Sequence, residues 1–128
     1  MSNPICILLV EDHKDTRETL QRYLSSKGYE VLTASSIGEA FTVASTMRFD
    51  VLVSDIGLPD GSGIELLMDL KRRSNFPAIA ISGFFQPENE EEYYRAGFDR
   101  ALRKPFYPHE LSGAIQAVVT PRAAEVED

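Results

Sequence analysis

The sequence holds a single cysteine, Cys6, inside an apolar run, so no disulfide can form within the chain. A thiol so placed reads as a small core residue. No stretch approaches the ~20 consecutive apolar residues that a membrane span needs. Cations are scarce: 13 Lys and Arg stand against 20 Asp and Glu, a formal charge of −7. A nucleic-acid surface needs clustered Lys and Arg to neutralise phosphates, so this balance argues against one. The start, Met1-Ser2-Asn3-Pro4, lacks the basic residues and long apolar core of a signal peptide. No internal repeat or low-complexity block interrupts the chain. These absences point to a soluble protein in a reducing, cytoplasmic setting, with no membrane contact.

What is present fits one domain with one proper core, over residues 1–121, followed by a flexible tail or linker stub at 122–128. Ile5-Cys6-Ile7-Leu8-Leu9-Val10 is a continuous apolar run, as strands buried on both faces are. Asp12 can cap the helix that follows, in which Leu20, Tyr23 and Leu24 recur at helical spacing up to Gly28. Tyr29 to Thr33 reads as a second strand. Ser36 and Glu39 read as a capping pair for a second helix, with Ala40, Val43, Ala44 and Met47 facing inward. Val51 to Ser54 is a third strand and ends at Asp55. A third helix spans Gly61 to Arg73, with Leu66, Leu67 and Leu70 as its stripe. Ala78 to Ile81 is a fourth strand, ending at Ser82-Gly83. Pro87 opens an acidic fourth helix that Gly97 closes. Arg100-Ala101-Leu102 is a weak fifth strand before Lys104-Pro105. A last helix begins near Pro108, carries Leu111, Ile115, Val118 and Val119 inward, and ends at Pro121.

Five strands alternating with five helices mean a parallel sheet with helices on both faces. All C-terminal strand ends then lie on one edge, where open α/β sheets place their chemistry. Glu11-Asp12, Asp55, Ser82 and Lys104 each follow a different strand. If the first and third strands are neighbours, three carboxylates converge, and each pair repels by about 1–4 kcal/mol. A hard divalent cation compensates this, and an all-oxygen donor set favours Mg²⁺. An ammonium and a hydroxyl beside one carboxylate suit phosphoryl transfer to that carboxylate. Taken singly, an acid at a strand end is more often a turn-former or a helix cap. The joint pattern across the strand tips is what carries the functional reading.

Four segments resemble the receiver domain of two-component response regulators: Leu8-Leu9-Val10-Glu11-Asp12, Asp55 through Gly63, Ser82-Gly83 and Lys104-Pro105-Phe106. They run in that family's order over roughly residues 5–119. The resemblance implies a doubly wound, flavodoxin-like α/β fold with strand order 2-1-3-4-5. It implies that Asp55 takes a phosphoryl group from a phosphohistidine on a sensor histidine kinase or a histidine phosphotransfer domain. It implies Mg²⁺ held by Asp12, Asp55 and the Gly57 carbonyl, with Glu11 reaching it through water. Lys104 and Ser82 would hold phosphoryl oxygens, Ser82 being the switch residue.

Two departures stand out. The aromatic residue that the family carries three positions before the lysine is replaced by Ala101. Gly57 and Phe84 occupy the positions that flank the path of an attacking water. They lead to an expectation of slow to moderate self-dephosphorylation. Without the aromatic at 101, the expected route for a conformational change is the loop from Ser82 to Phe85 and the acidic fourth helix. An output partner is expected on the 84–119 face. A Mg²⁺-dependent phosphohydrolase working through an aspartyl phosphate, a flavodoxin-like FMN carrier and a docking scaffold that is never phosphorylated remain open alternatives. So does the choice between a protein that acts alone and the receiver part of a larger kinase or regulator.

Overall fold

The computed structural model describes residues 4–83 and 87–127. Phe84 and Phe85, expected in the switch loop, lie outside the described residues. The elements run β1 (Cys6–Val10), α1 (Lys14–Ser26), β2 (Glu30–Ala34), α2 (Ile37–Thr46), β3 (Val51–Asp55), β4 (Gly57–Leu58), β5 (Gly61–Ser62), α3 (Gly63–Lys71), β6 (Ala78–Ser82), α4 (Pro87–Ala96), β7 (Arg100–Arg103) and α5 (Pro108–Glu127). Five strands form one parallel sheet in the order β2-β1-β3-β6-β7. With the small antiparallel pair β4–β5 set aside, that is the expected doubly wound 2-1-3-4-5 order.

Period-two alternation in the apolar strands builds two cores. Leu8, Val10, Leu52, Ala78 and Ala80 face α2, α3 and α4, where Ala40, Leu66, Leu67, Leu70 and Tyr93 complete the layer. Ile7, Leu9, Val51, Val53, Ile79 and Ile81 face the other way, against Leu20, Leu24, Leu111 and Ile115 of α1 and α5. A strand with both faces covered has no polar position to spare, which is why these runs read as unbroken hydrophobics.

The helix ends differ from the sequence reading in instructive ways. Asp12 does not cap α1; the N-cap is His13, whose side chain makes no cap hydrogen bond. Gly28 closes that helix at φ 96°, a left-handed conformation that costs glycine little. Ser36 does cap α2, accepting from the Glu39 N–H. The Glu39 carboxylate returns to the N–H of Ser35, one residue before the cap. Met47 is not inward: α2 stops at Thr46, and Met47 is extended and half exposed. The third helix starts at Gly63 rather than Gly61, because Ser62 and Glu65 form a full capping box. Asp60, in the loop before it, accepts from the N–H groups of Ile37 and Gly38 at 2.9 and 3.0 Å. Those backbone donors hold its carboxyl below the usual carboxylate range and tie the β4–β5 loop to the start of α2. Pro121 does not end α5, which continues to Glu127. Proline there removes one bond to the Ala117 carbonyl, and the strong helix formers from Arg122 to Glu125 continue the turn. Among the described residues, no helix is long and apolar enough to cross a membrane.

Candidate functional site

The tips of β1, β3, β6 and β7 meet at one edge of the sheet. β1 delivers Glu11 and Asp12, and the Glu11 N–H is fixed to the Ala34 carbonyl of β2 at 3.0 Å. β3 ends at Asp55. The next residue is anchored by a bond from the Ile56 N–H to the Ile81 carbonyl at 2.9 Å. β6 ends at Ser82, whose carbonyl accepts from the Lys104 N–H at 2.9 Å. The Lys104–Pro105 peptide is cis, an isomer the sequence alone leaves undecided.

Lys104 joins the acids. Its ammonium donates to Glu11 Oε1 and to Asp55 Oδ2, both at 2.8 Å. Glu11 is fully buried, and Asp55 is only 5% exposed. Burial alone pushes the Glu11 carboxyl up. The hydrogen bond from Lys104, the His13 N–H at 3.0 Å and the lysine's charge outweigh it, and the group sits below its ordinary range. For Asp55 burial wins: it raises the carboxyl, the Glu11 and Asp12 charges add to it, and Lys104 only partly offsets them. Burial works to lower Lys104, but its two carboxylate partners hold its ammonium above the ordinary lysine value. Three carboxylates against one ammonium leave a formal charge of −2 in the cluster formed by Glu11, Asp12, Asp55 and Lys104.

That charge and donor set fit a hard divalent cation. One ligand atom from each of Glu11, Asp12, His13 and Asp55 lies within 4.8 Å of the others. Asp12 Oδ1 is buried and has no hydrogen-bond partner, as an oxygen left for a metal would be. Gly57 lies in β4, two residues past Asp55, paired with Ser62. It is exposed, with open space where a side chain would stand.

Three contacts at this edge went unread in the sequence. His13 places Nδ1 3.3 Å from Glu11 Oε2 and 3.5 Å from Asp12 Oδ1. Its position directly after two acids was the available signal. Arg17 reaches back from α1 to the carbonyls of Glu11 and Asp12 at 2.9 and 3.3 Å. Tyr93 of α4 donates its hydroxyl to Ser82 Oγ at 3.2 Å. Neither has a sequence signal, because both act across elements.

The turn after Asp55 is packed tightly. The Gly63 N–H donates to the Ile56 carbonyl at 2.8 Å, so α3 begins against the end of β3. A Cβ at Gly63 would lie 2.3 Å from the Asp55 carbonyl oxygen and 3.0 Å from Ser54 Oγ. Backbone cannot give way as a side chain can. Gly63→Ala is therefore expected to destabilise the fold by about 1–3 kcal/mol, read as a lower urea midpoint. An unchanged midpoint would show that the turn relaxes freely.

A doubly wound parallel sheet with paired acids, a buried aspartate, a hydroxyl and a lysine at its carboxyl edge defines a flavodoxin-like domain with an acidic, cation-fitting site. The family model described as "Response regulator receiver domain" matches residues 7–116, and the chain belongs to that family, a module of two-component signal transduction. It is 32% identical over 118 residues to the KDP operon transcriptional regulatory protein KdpE of Escherichia coli (strain K12), covering 92% of this chain and 52% of that protein. It is 33% identical over 119 residues to the sensor histidine kinase AruS of Pseudomonas aeruginosa, covering 89% of this chain and 12% of that kinase. The crystal structure of a CheY-like receiver domain protein from Methanospirillum hungatei superposes with a TM-score of 0.88 at 30% identity, over 95% of this chain and 98% of that one. The chain spans about half the length of KdpE.

Proposed function

We propose that Asp55 is the phosphoacceptor of a signalling relay and that Mg²⁺ assists at Asp12 and Asp55, with the Gly57 carbonyl as a third donor and Glu11 acting through water. The observation that carries this reading is the buried Asp55 carboxylate, bonded to Lys104 at the edge where the buried Asp12 Oδ1 makes no hydrogen bond. When bound, the metal neutralises the converging carboxylates and the phosphoryl oxygens. An Asp55 carboxylate oxygen attacks phosphorus as the P–N bond of a partner's phosphohistidine breaks. The bonding pair returns to the imidazole nitrogen, and an acyl phosphate remains on Asp55. Burial favours this step, since it strips water from the nucleophile and strengthens each hydrogen bond in the pocket. Lys104 offers its ammonium to the incoming phosphoryl oxygens, and Ser82 its hydroxyl.

The donor is a sensor histidine kinase or a histidine phosphotransfer domain. The kinase name of one relative, AruS, is consistent with this pairing. The net charge of −7 supports a domain that does not itself contact nucleic acid, and a single cysteine suits a reducing, cytoplasmic setting.

Beryllofluoride stands in for a phosphoryl group on a carboxylate. With Mg²⁺ present, it is expected to raise the melting temperature. A ligand at about 100 times its Kd adds about 2.7 kcal/mol, roughly 10 °C for a domain of this size. Neither Mg²⁺ omission nor Asp55→Asn should leave that rise in place. An equal rise in Asp55→Asn would place the anion elsewhere and overturn the proposal.

A further inference from the structure

The β4–β5 hairpin is too small to hold itself in place. Each strand has two residues, Gly57–Leu58 and Gly61–Ser62, joined by the turn at Pro59-Asp60. A lone two-stranded hairpin is marginally stable at best in water. Gly57 is exposed and has no side chain to pack. Its carbonyl is therefore placed by whatever fixes the hairpin. The end at α3 is fixed by the capping box, in which the Ser62 N–H donates to Glu65 Oε1 at 3.2 Å. The turn is fixed by Asp60. The first N–H groups of a helix have no carbonyl of their own helix to reach. In α2 the Glu39 N–H finds Ser36 Oγ at 3.2 Å. Those of Ile37 and Gly38 find the two carboxylate oxygens of Asp60, at 2.9 and 3.0 Å. Ile37 also closes on the hairpin: a Cβ at Gly61 would stand 2.8 Å from its Cδ1. The start of α2 is in turn tied to the acidic edge. Its N-cap, Ser36, stands two residues past Ala34, whose carbonyl holds the Glu11 N–H at 3.0 Å. Asp60 thus closes a ring that runs from the β1 tip through β2 and α2 to the hairpin, and back along it to Gly57 and Asp55.

We propose that Asp60 is a positioning residue for the metal: its carboxylate clasps the start of α2 and so fixes where the Gly57 carbonyl stands relative to Asp12. The proposal rests on the Mg²⁺ reading of this edge. A small, hard cation tolerates little error in the placement of its donors. With the clasp open, a bound ion must itself order the hairpin, and its affinity falls by that cost. Coupling of this kind is reciprocal. Whatever factor the clasp contributes to metal binding, metal binding returns to the clasp. The start of α2 is therefore where occupancy of the metal site is felt outside it.

The test combines Mg²⁺ affinity, by isothermal titration of the intact chain, with amide hydrogen exchange at Ile37 and Gly38. Asp60→Ala removes both acceptor oxygens. It is expected to weaken Mg²⁺ binding about threefold to tenfold, the span of one net hydrogen bond. Asp60→Asn removes the same charge but keeps one acceptor oxygen, and should fall between alanine and the wild type. In the wild-type chain, saturating Mg²⁺ should slow exchange at Ile37 and Gly38 by about the same threefold to tenfold. If the wild-type chain binds no Mg²⁺, the metal reading fails and takes this inference with it. If the wild-type chain binds and Asp60→Ala binds as tightly, the clasp is structural only, whatever its melting temperature, and this inference alone fails. Equal weakening in Asp60→Asn and Asp60→Ala would trace the effect to the lost charge, and would also overturn it. Should Asp60→Ala not fold, exchange in the wild-type chain decides the matter: rates at Ile37 and Gly38 that do not change with Mg²⁺ would overturn the proposal.

Discussion

Lys104→Met is expected to cost the fold about 3 kcal/mol at neutral pH, and to lower its melting temperature by roughly 10–15 °C. The cause lies in what the lysine leaves behind. Glu11 is fully buried and Asp55 nearly so, and the ammonium bonds both at 2.8 Å. Without it, two carboxylates face each other in a site that disfavours charge. In the variant burial then raises Glu11 with the His13 N–H and ring nitrogen left to oppose it. The deficit should therefore be largest at neutral pH and shrink as the carboxylates protonate. Glu11→Gln in the same chain should restore part of the loss by removing one of the buried charges. Denaturant titration from pH 7 down to pH 4 checks both statements. A small loss that does not vary with pH would mean that Lys104 holds no buried charge in place.

Asp55→Asn is expected to do the reverse to stability while removing the proposed activity. The wild-type Asp55 carboxyl is raised by burial and by its acidic neighbours. A folded-state pKa above the unfolded one means that the ionised form is penalised in the fold. That penalty is absent well below the ordinary value of 3.8, where both states are protonated. It grows as pH rises through the raised folded value and is complete above it. Asparagine keeps an oxygen for Lys104 and carries no charge. The variant should therefore be more stable by on the order of 1 kcal/mol at neutral pH, with the difference gone at the acid end. Phosphoryl uptake should fall to background, since an amide oxygen cannot form a stable acyl phosphate. A variant that is both less stable and still phosphorylated would contradict the electrostatic account and the chemistry together.

Strands and site differed in how far they could be read from sequence, and for physical reasons. Ile7 through Val10 and Val51 through Val53 are apolar on both faces because helices cover both. Their burial is written residue by residue. Glu11, Asp12, Asp55, Ser82 and Lys104 could be gathered because a parallel sheet sends every C-terminal tip to one edge. Local punctuation was less reliable. Asp12 has the chemistry of a helix cap, but in the fold its Oδ1 makes no hydrogen bond at the carboxyl edge while His13 takes the cap position. Met47 fits a helical stripe that ends one residue too soon. Pro121 is a strong stop signal that the helix formers after it override. What could not be read at all were contacts between elements. Asp60 on the start of α2, Arg17 on the β1 tip and Tyr93 on Ser82 join residues brought together only by packing. The β4–β5 pair is likewise too short to announce itself: two residues on each side, held by Gly57 opposite Ser62.

The most direct test of the central claim is to find the atom that receives phosphorus. The chain is incubated with Mg²⁺ and a small phosphoryl donor such as acetyl phosphate. The product is reduced with borohydride, which converts an aspartyl phosphate to homoserine, and its peptides are mapped by mass. The account predicts homoserine at position 55 alone, dependent on Mg²⁺ and on Asp12. Reduction at another acid, phosphate on His13, His109 or Ser82, or no modification at all would contradict it.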